Sequence, residues 1–330
     1  MDYVLPEDRI AQTPLENRSS SKLLVTHRTG EIEHRQFGDV VYYLNEGDLL
    51  VLNDTRVTAW RLLGERETGG HVEFLLLHEE PGNVWLSMAK PGRRLKPGEV
   101  IKIARGALRL SILSNEAGGL KRIQVEGDNV ERSLRMHGRV PLPPYIHQSL
   151  ADSDRYQTTY AKTGGSAAAP TAGLHFTPEI LDALRAKGVR TEFVTLDVSL
   201  DTFRPIQVSN LDEHVMHGET CRISEVTAKA ISNAGGRIIA VGTTTVRTLE
   251  TFASSRRRVE PGQTRSHLFI RPGYEFKVVD GMFTNFHLPQ TTMLVMLEAL
   301  IGKVGLERAY DAALANDYRF LSFGDSMLII

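Results

Sequence analysis

Arg237-Ile-Ile-Ala-Val-Gly-Thr-Thr-Thr-Val-Arg247-Thr-Leu-Glu250 reads as an apolar strand, a glycine turn, a hydroxyl cluster and a helix. A strand that feeds a helix through a tight turn is the building unit of an α/β fold, because the helix must cross back over the sheet. The flanking sequence extends the alternation: strand-like over 191–198, helical over 225–233, strand over 237–241, helical again from about 246. Upstream, Thr177-Pro178-Glu179 combines a capping hydroxyl, a first-turn proline and an acid at the positive helix end, and Gly188 supplies the stop, which predicts a helix over 178–187. Downstream, 277–283 reads as a strand, 292–316 as helical and 318–329 as a final strand. A largely parallel sheet is expected.

Between about residues 57 and 140 the pattern changes. Short β-type runs at 59–63, 71–78, 84–89, 100–103, 108–113 and 121–125 are separated by Gly-Gly, Pro-Gly and Gly-Asp turns, which predicts a barrel or sandwich. The prolines of Val140-Pro-Leu-Pro-Pro-Tyr-Ile146 then impose an extended return path. The expected organisation is α/β: a mostly parallel-sheet main domain made of 1–56 and 146–330, with a small β-barrel-like domain inserted at 57–145.

Composition sets limits on the function. At 330 residues, with 41% hydrophobic and 24% charged residues, the chain falls in the range of ordinary globular proteins of about two domains. Its one cysteine, Cys221, can form no intramolecular disulfide, so a reducing, cytoplasmic setting is expected. The first residues lack the basic-then-apolar pattern of an export signal. The apolar stretch over 293–304 is broken by Glu298 and Lys303, short of the roughly 18 residues a membrane span needs. A net charge of −1 excludes a uniformly basic coat but leaves room for a local patch.

Several segments carry chemistry. In the opening run, Gly242 lets a ligand approach the backbone, Thr243, Thr244 and Thr245 offer hydroxyls, and the helix start offers free N–H groups suited to a carboxylate or phosphate; simple capping needs only one of those threonines. Neither a P-loop nor a dinucleotide fingerprint is present. In His214-Val-Met-His217-Gly-Glu219, two imidazoles stand three residues apart beside a carboxylate; acid/base work, a structural pair and a metal site are all compatible, but no third ligand is identifiable and none is assigned. Tyr156-Gln-Thr-Thr-Tyr160, Asn285-Phe-His287-Leu-Pro-Gln-Thr-Thr292 and Phe323-Gly-Asp325-Ser-Met combine turn residues with polar tips. Asn285 and His287 would share one face of an extended segment, a pocket wall; Asp325 could equally cap a turn. Arg256-Arg-Arg258 with Arg265 reads as a solvated surface or a grip on phosphates. Ala169-Pro170-Thr171-Ala-Gly173-Leu-His175-Phe176 makes a tight turn that presents an imidazole and an aromatic face, or else a turn anchored in the core by Phe176.

Taken in order, Leu52-Asn-Asp-Thr-Arg-Val57, Pro141-Leu-Pro-Pro-Tyr145, Tyr156 to Tyr160, Ala169 to Phe176, His214 to Glu219, Val241 to Arg247, Thr284-Asn-Phe-His-Leu-Pro289 and Phe323 to Met327 resemble the S-adenosylmethionine:tRNA ribosyltransferase-isomerase family of queuosine biosynthesis, over essentially the whole chain. The resemblance implies a β-barrel-like module inserted in an α/β domain. It implies transfer and isomerisation of the ribosyl part of S-adenosylmethionine onto 7-aminomethyl-7-deazaguanine at the wobble position of a tRNA with a GUN-type anticodon, giving epoxyqueuosine, adenine and methionine. S-adenosylmethionine is then a consumed substrate, with no separate cofactor or metal, and a monomer without membrane association is expected.

That chemistry needs a base for a C–H bond acidified by the sulfonium, and hydrogen bonding to the departing adenine. The resemblance suggests His175 or His217 for proton transfer, with Asp197 and Glu219 as further catalytic candidates. Thr243, Thr244, Thr245 and Arg247 would meet the methionine carboxylate, and Phe176 the sulfonium or a ring. Tyr156, Tyr160, Pro170, Thr171, Gly173, His214, Asn285, His287 and Asp325 complete the expected binding set. In one place the chain departs from the pattern. Where the family usually shows His-Val-Gly-x-Gly-Thr-Phe, this chain has Asp197-Val-Ser199-Leu-Asp201-Thr-Phe203, which replaces an imidazole by a carboxylate and two glycines by residues with side chains. The alternatives are an S-adenosylmethionine-dependent enzyme acting on another nucleobase amine, and a non-catalytic tRNA-binding protein of the same fold.

Overall fold

Successive side chains of a strand face opposite sides, so a strand that is apolar at every position asks for cover on both faces. Leu49–Asn53 is buried throughout. Its Leu50 and Leu52 pack with Ile239 and Val241 in one core, and its Leu49 and Val51 with Ile238 and Ala240 in another. The structure is a computed structural model that describes residues 2–199, 206, 211–214, 216 and 218–330. Among them, the main sheet holds nine strands. These are β1 (Lys22–Thr26), β2 (Ile32–Gln36), β3 (Leu49–Asn53), β4 (Arg190–Leu196), β5 (Glu219–Ile223), β6 (Ile238–Val241), β7 (Gly262–Ser266), β8 (Gly281–Asn285) and β9 (Ser326–Ile329). Their order is β7-β5-β4-β3-β6-β8-β9-β1-β2. The central run β4-β3-β6-β8 is parallel, as is β9-β1, and antiparallel pairings join the rest.

Helices cover both faces. Ile180 and Leu184 of α1 (Pro178–Ala186) close one core with Phe37, Phe176 and Phe283. The other core is closed by α2 (Glu225–Ser232), α3 (Thr243–Thr251) and α4 (Thr292–Ala315), which contribute Ile231, Val246, Leu249, Leu294, Leu297 and Leu306. Thr177 caps α1 as its sequence predicts, its hydroxyl accepting the Ile180 N–H. Three boundaries differ clearly from expectation, one being the strand read over 277–283, which is observed at Gly281–Asn285. Helix α3 starts at Thr243 rather than near Val246, because Gly242 takes φ 88° and ψ 153° and ends the strand at once. The last strand is confined to Ser326–Ile329 because the Asp325 carboxylate accepts the backbone N–H groups of Arg319 and Lys22, which holds the residues before it in a turn.

The chain divides into two compact units: Met1–Thr55 with Pro143–Thr163 and Ala169–Ile330, and Arg56–Leu142 with Gly164–Ala168. The second contains a closed antiparallel barrel of Trp60–Arg66, His71–Glu80, Val84–Lys90, Val100–Ile103, Leu108–Asn115 and Lys121–Glu126. Each of the six predicted β runs falls on one of these strands. The barrel is filled by alternate residues such as Leu62, Phe74, Leu76, Trp85, Ile101, Leu110 and Ile123, as closure of a small barrel demands. Among the described residues no helix is long and apolar enough to cross a membrane.

Candidate active site

Parallel strands end together, so the carboxyl ends of β3, β4, β6 and β8 meet along one edge of the sheet, the edge where open α/β sheets bind ligands. Asn53, the last residue of β3, ties that edge together. Its Nδ2 donates to Leu196 O at 3.0 Å and to Thr244 Oγ1 at 3.3 Å, while its Oδ1 accepts the N–H groups of Leu196 at 3.0 Å and Thr55 at 3.1 Å. From β6 the chain turns through Gly242, in backbone territory open essentially to glycine alone, straight into α3. The free N–H groups of that helix start therefore lie at the strand ends.

A cleft opens there. One wall is Ala169 to Ala172, a second Gly242 to Thr244, a third Thr284, Asn285, His287 and Leu288; Tyr145, Val198, Thr291, Met293, Leu321 and Ser322 close it. No Asp, Glu, Lys or Arg stands among these lining residues. The Asn285 side chain is 2% exposed. Its Oδ1 accepts from Thr171 Oγ1 at 2.8 Å, and its Nδ2 is buried with no partner. Turning the amide over would only move the vacancy to the oxygen. His287 Nε2 meets Thr284 Oγ1 at 2.7 Å, and its main-chain N–H donates to Tyr310 Oη at 2.9 Å. Burial pushes its pKa down to about 3, so the ring is neutral across the physiological range. Tyr145 donates to or accepts from Ser322 Oγ at 2.7 Å, and burial raises its pKa to about 12.

Pro170, Thr171, Thr243, Thr244, Asn285 and His287 are thus brought together. Other expected residues are engaged elsewhere. Phe176 is fully buried between Phe37 and Phe283, edge-on to both, and serves as a core anchor rather than a face for substrate. His175 lies on the far side of the same turn, with Nδ1 2.8 Å from Ser21 Oγ and its ring stacked on Phe37. Burial lowers its pKa to about 4. Gly173 is required for close approach: an added Cβ would collide with the Tyr160 hydroxyl. Tyr160 itself packs on Phe193, and Tyr156 is buried edge-on against Phe323. Thr245 spends its hydroxyl on the carbonyl of Val241, the last residue of β6, at 2.6 Å.

Arg247 forms a buried ion pair with Glu219 and donates to Ser266 O, so neither group faces the cleft. The second Glu219 oxygen accepts the Ser199 N–H at 2.9 Å. Asp197 accepts from Thr55 Oγ1 at 2.9 Å, directly after β4. This is where the departing segment begins, and Val198 reaches the cleft wall. His214 packs on Phe269; His217 and Asp201 lie outside the described residues. Asp325 is committed to two backbone N–H groups. Arg256 and Arg257 pair with Asp280 at 2.7 and 2.9 Å. Among the described residues no cluster of three His, Cys, Asp or Glu could hold a metal ion.

Residues 1–329 match the family described as queuosine biosynthesis protein. The chain belongs to that family. Relatives named S-adenosylmethionine:tRNA ribosyltransferase-isomerase include one from Caldanaerobacter subterraneus subsp. tengcongensis, 51% identical over 99% of this chain and 98% of its own length. Another, from Acetivibrio thermocellus, is 48% identical over 99% and 98%. The crystal structure of an S-adenosylmethionine tRNA ribosyltransferase from Thermotoga maritima, 35% identical, covers 100% of this chain and 99% of its own with a TM-score of 0.56. Asn53 and Tyr145 are among the site residues that sequence reasoning passed over. Both lie in segments that carry the family resemblance, at the end of an apolar strand and after a proline run.

Proposed function

We propose that the protein is an S-adenosylmethionine:tRNA ribosyltransferase-isomerase. It transfers and isomerises the ribosyl part of S-adenosylmethionine onto 7-aminomethyl-7-deazaguanine at the wobble position of a GUN-anticodon tRNA, forming epoxyqueuosine and releasing adenine and methionine. S-adenosylmethionine is consumed as a substrate. The observation that carries the reading is the cleft: uncharged side chains, a helix start and an unpartnered amide meet at the carboxyl ends of parallel strands. A sulfonium zwitterion suits such a lining. Its carboxylate is drawn to the N-terminus of α3 beside Thr243 and Thr244, its cation meets no opposing charge because His287 is neutral, and the Tyr145 ring offers it a π face. We assign the unpartnered Asn285 amide to hydrogen-bond the departing adenine. His287, whose neutral ring fronts the cleft, is the group we assign to hydrogen-bond the substrate beside the sulfonium.

The test is incubation with S-adenosylmethionine and tRNA that carries the aminomethyl-deazaguanine precursor. Stoichiometric adenine release, absent with unmodified tRNA, is expected. Release only with a different acceptor would transfer the assignment to another nucleobase amine, the reading that the altered segment from Asp197 to Phe203 favours. RNA binding without any release would leave a non-catalytic tRNA-binding protein.

A further inference from the structure

Behind the turn that carries His175 lies a second hollow, lined by Arg18, Arg155 and Arg319 with His175 and Ser322. All three arginines are half-buried. Arg18 donates to the carbonyls of Gln157 at 2.9 Å, Asp154 at 3.2 Å and Arg155 at 3.3 Å. Arg155 donates to those of Glu16 at 3.1 Å and Leu15. Arg319 donates to Phe323 O, with a long contact to Thr13 O, and its Nε is buried without an acceptor. Every one of these partners is a main-chain carbonyl. Carbonyls satisfy N–H groups but leave the charge standing, and each guanidinium carries five donors, so a good part of the set is still free.

The acids within electrostatic reach do not neutralise the cluster. Asp152 and Asp325 act on Arg18 and Arg319 from a distance. Asp152 accepts the Asp154 N–H at 2.9 Å, and Asp325 those of Lys22 and Arg319 at 2.8 and 2.7 Å. Burial, and for Arg18 the repulsion of Arg155, push the pKa values of Arg18 and Arg319 down. Elsewhere in the molecule, the partly buried Arg66 and Arg237 and the buried Arg247 close on a carboxylate. Like charges gathered in a hollow destabilise the fold unless an anion enters.

We propose that this hollow binds a phosphodiester of the RNA substrate, held between Arg18, Arg155 and Arg319. The inference rests on the function proposed above. Forked guanidiniums match phosphate oxygens, and several cations around one site exceed what a single carboxylate needs. The carboxylate of S-adenosylmethionine already has a helix N-terminus in the other cleft. Ser322 lines both hollows, so a phosphate here lies next to the nucleotide whose base enters the cleft.

The experiment uses the full chain and an anticodon stem–loop RNA, with affinity measured by fluorescence anisotropy over a range of salt. Arg155→Gln and Arg319→Gln are each expected to weaken RNA binding several-fold and to reduce the slope of log affinity against log salt by about 0.7 to 1, one phosphate contact. Arg155→Lys restores the slope, while melting temperature and S-adenosylmethionine affinity, read by calorimetry without RNA, stay at parent values. RNA affinity and slope equal to the parent in both glutamine variants overturn the site and leave the proposed function standing. Loss of S-adenosylmethionine affinity instead assigns the hollow to that substrate's carboxylate and also overturns it. A parent chain that binds no RNA removes the proposed function and this inference together.

Discussion

Asn53 Nδ2 donates to Thr244 Oγ1 at 3.3 Å, which joins the end of β3 to the first turn of α3. The same side chain holds both backbone groups of Leu196, so one amide sets the relative height of two strand ends and a helix start. Asn53→Ala strands the Leu196 N–H and C=O in a buried place, which costs about 1–3 kcal/mol. Urea denaturation should show that loss, and the Kd for S-adenosylmethionine should rise with it. A variant with parental stability and affinity would show that the amide positions nothing.

The Glu219–Arg247 pair makes a second prediction. Removing either partner alone leaves a buried charge uncompensated, with an expected loss of about 3–5 kcal/mol for Glu219→Ala or Arg247→Ala. Replacing both by Met removes the unpaired charge and should recover much of that stability in a double-mutant cycle. Activity should not return with it, because the Ser199 N–H no longer has its acceptor. Recovery of adenine release in the double variant would mean that the loop after β4 does not depend on this tie.

The fold could be read from the sequence because it rests on local regularities. A strand–glycine–helix run, a capped helix at Thr177 and β runs spaced by turns each announce themselves within about ten residues. The site was legible where turn residues and polar tips coincide at strand ends, as at Thr243, Asn285 and His287. It was not legible where a side chain's direction depends on a distant partner. Arg247 looks free beside the threonines until Glu219 arrives from β5, and Asp325 looks like a binding carboxylate until the N–H of Lys22 claims it. Phe176 and His175 sit side by side in one run, yet one faces the core and the other the arginine hollow. Residue type proposes chemistry, but long-range packing decides which groups are spent on structure.

Acid should unfold the protein in a window set by its buried histidines. The His175 pKa falls from 6.5 to about 4 on burial, so the unfolded chain binds a proton that the folded chain refuses. Stability attributable to this group is full above pH 6.5 and declines as pH drops toward 4, by a total of order 3 kcal/mol. His287, lowered to about 3, adds to the same slope. Thermal melts between pH 7 and 4.5, above most of the carboxylate range, should show the decline, and His175→Gln should flatten part of it. An unchanged slope in that variant would place the proton uptake elsewhere.

Asn285 separates binding from folding. Its Nδ2 has no partner within the protein, so its truncation removes only the bond from Thr171 and should move the melting temperature little. If the amide hydrogen-bonds the adenine, Asn285→Ala should weaken S-adenosylmethionine by about tenfold, equivalent to about 1.4 kcal/mol for one lost bond in a buried site. Single-turnover adenine release should slow further, because a bond that strengthens as negative charge develops on the leaving base is worth more in the transition state than in the ground state. Thr171→Val, which only lets the amide turn, should show a smaller effect in the same direction. Equal losses for the two variants would mean that Thr171, rather than the Asn285 amide, touches the substrate.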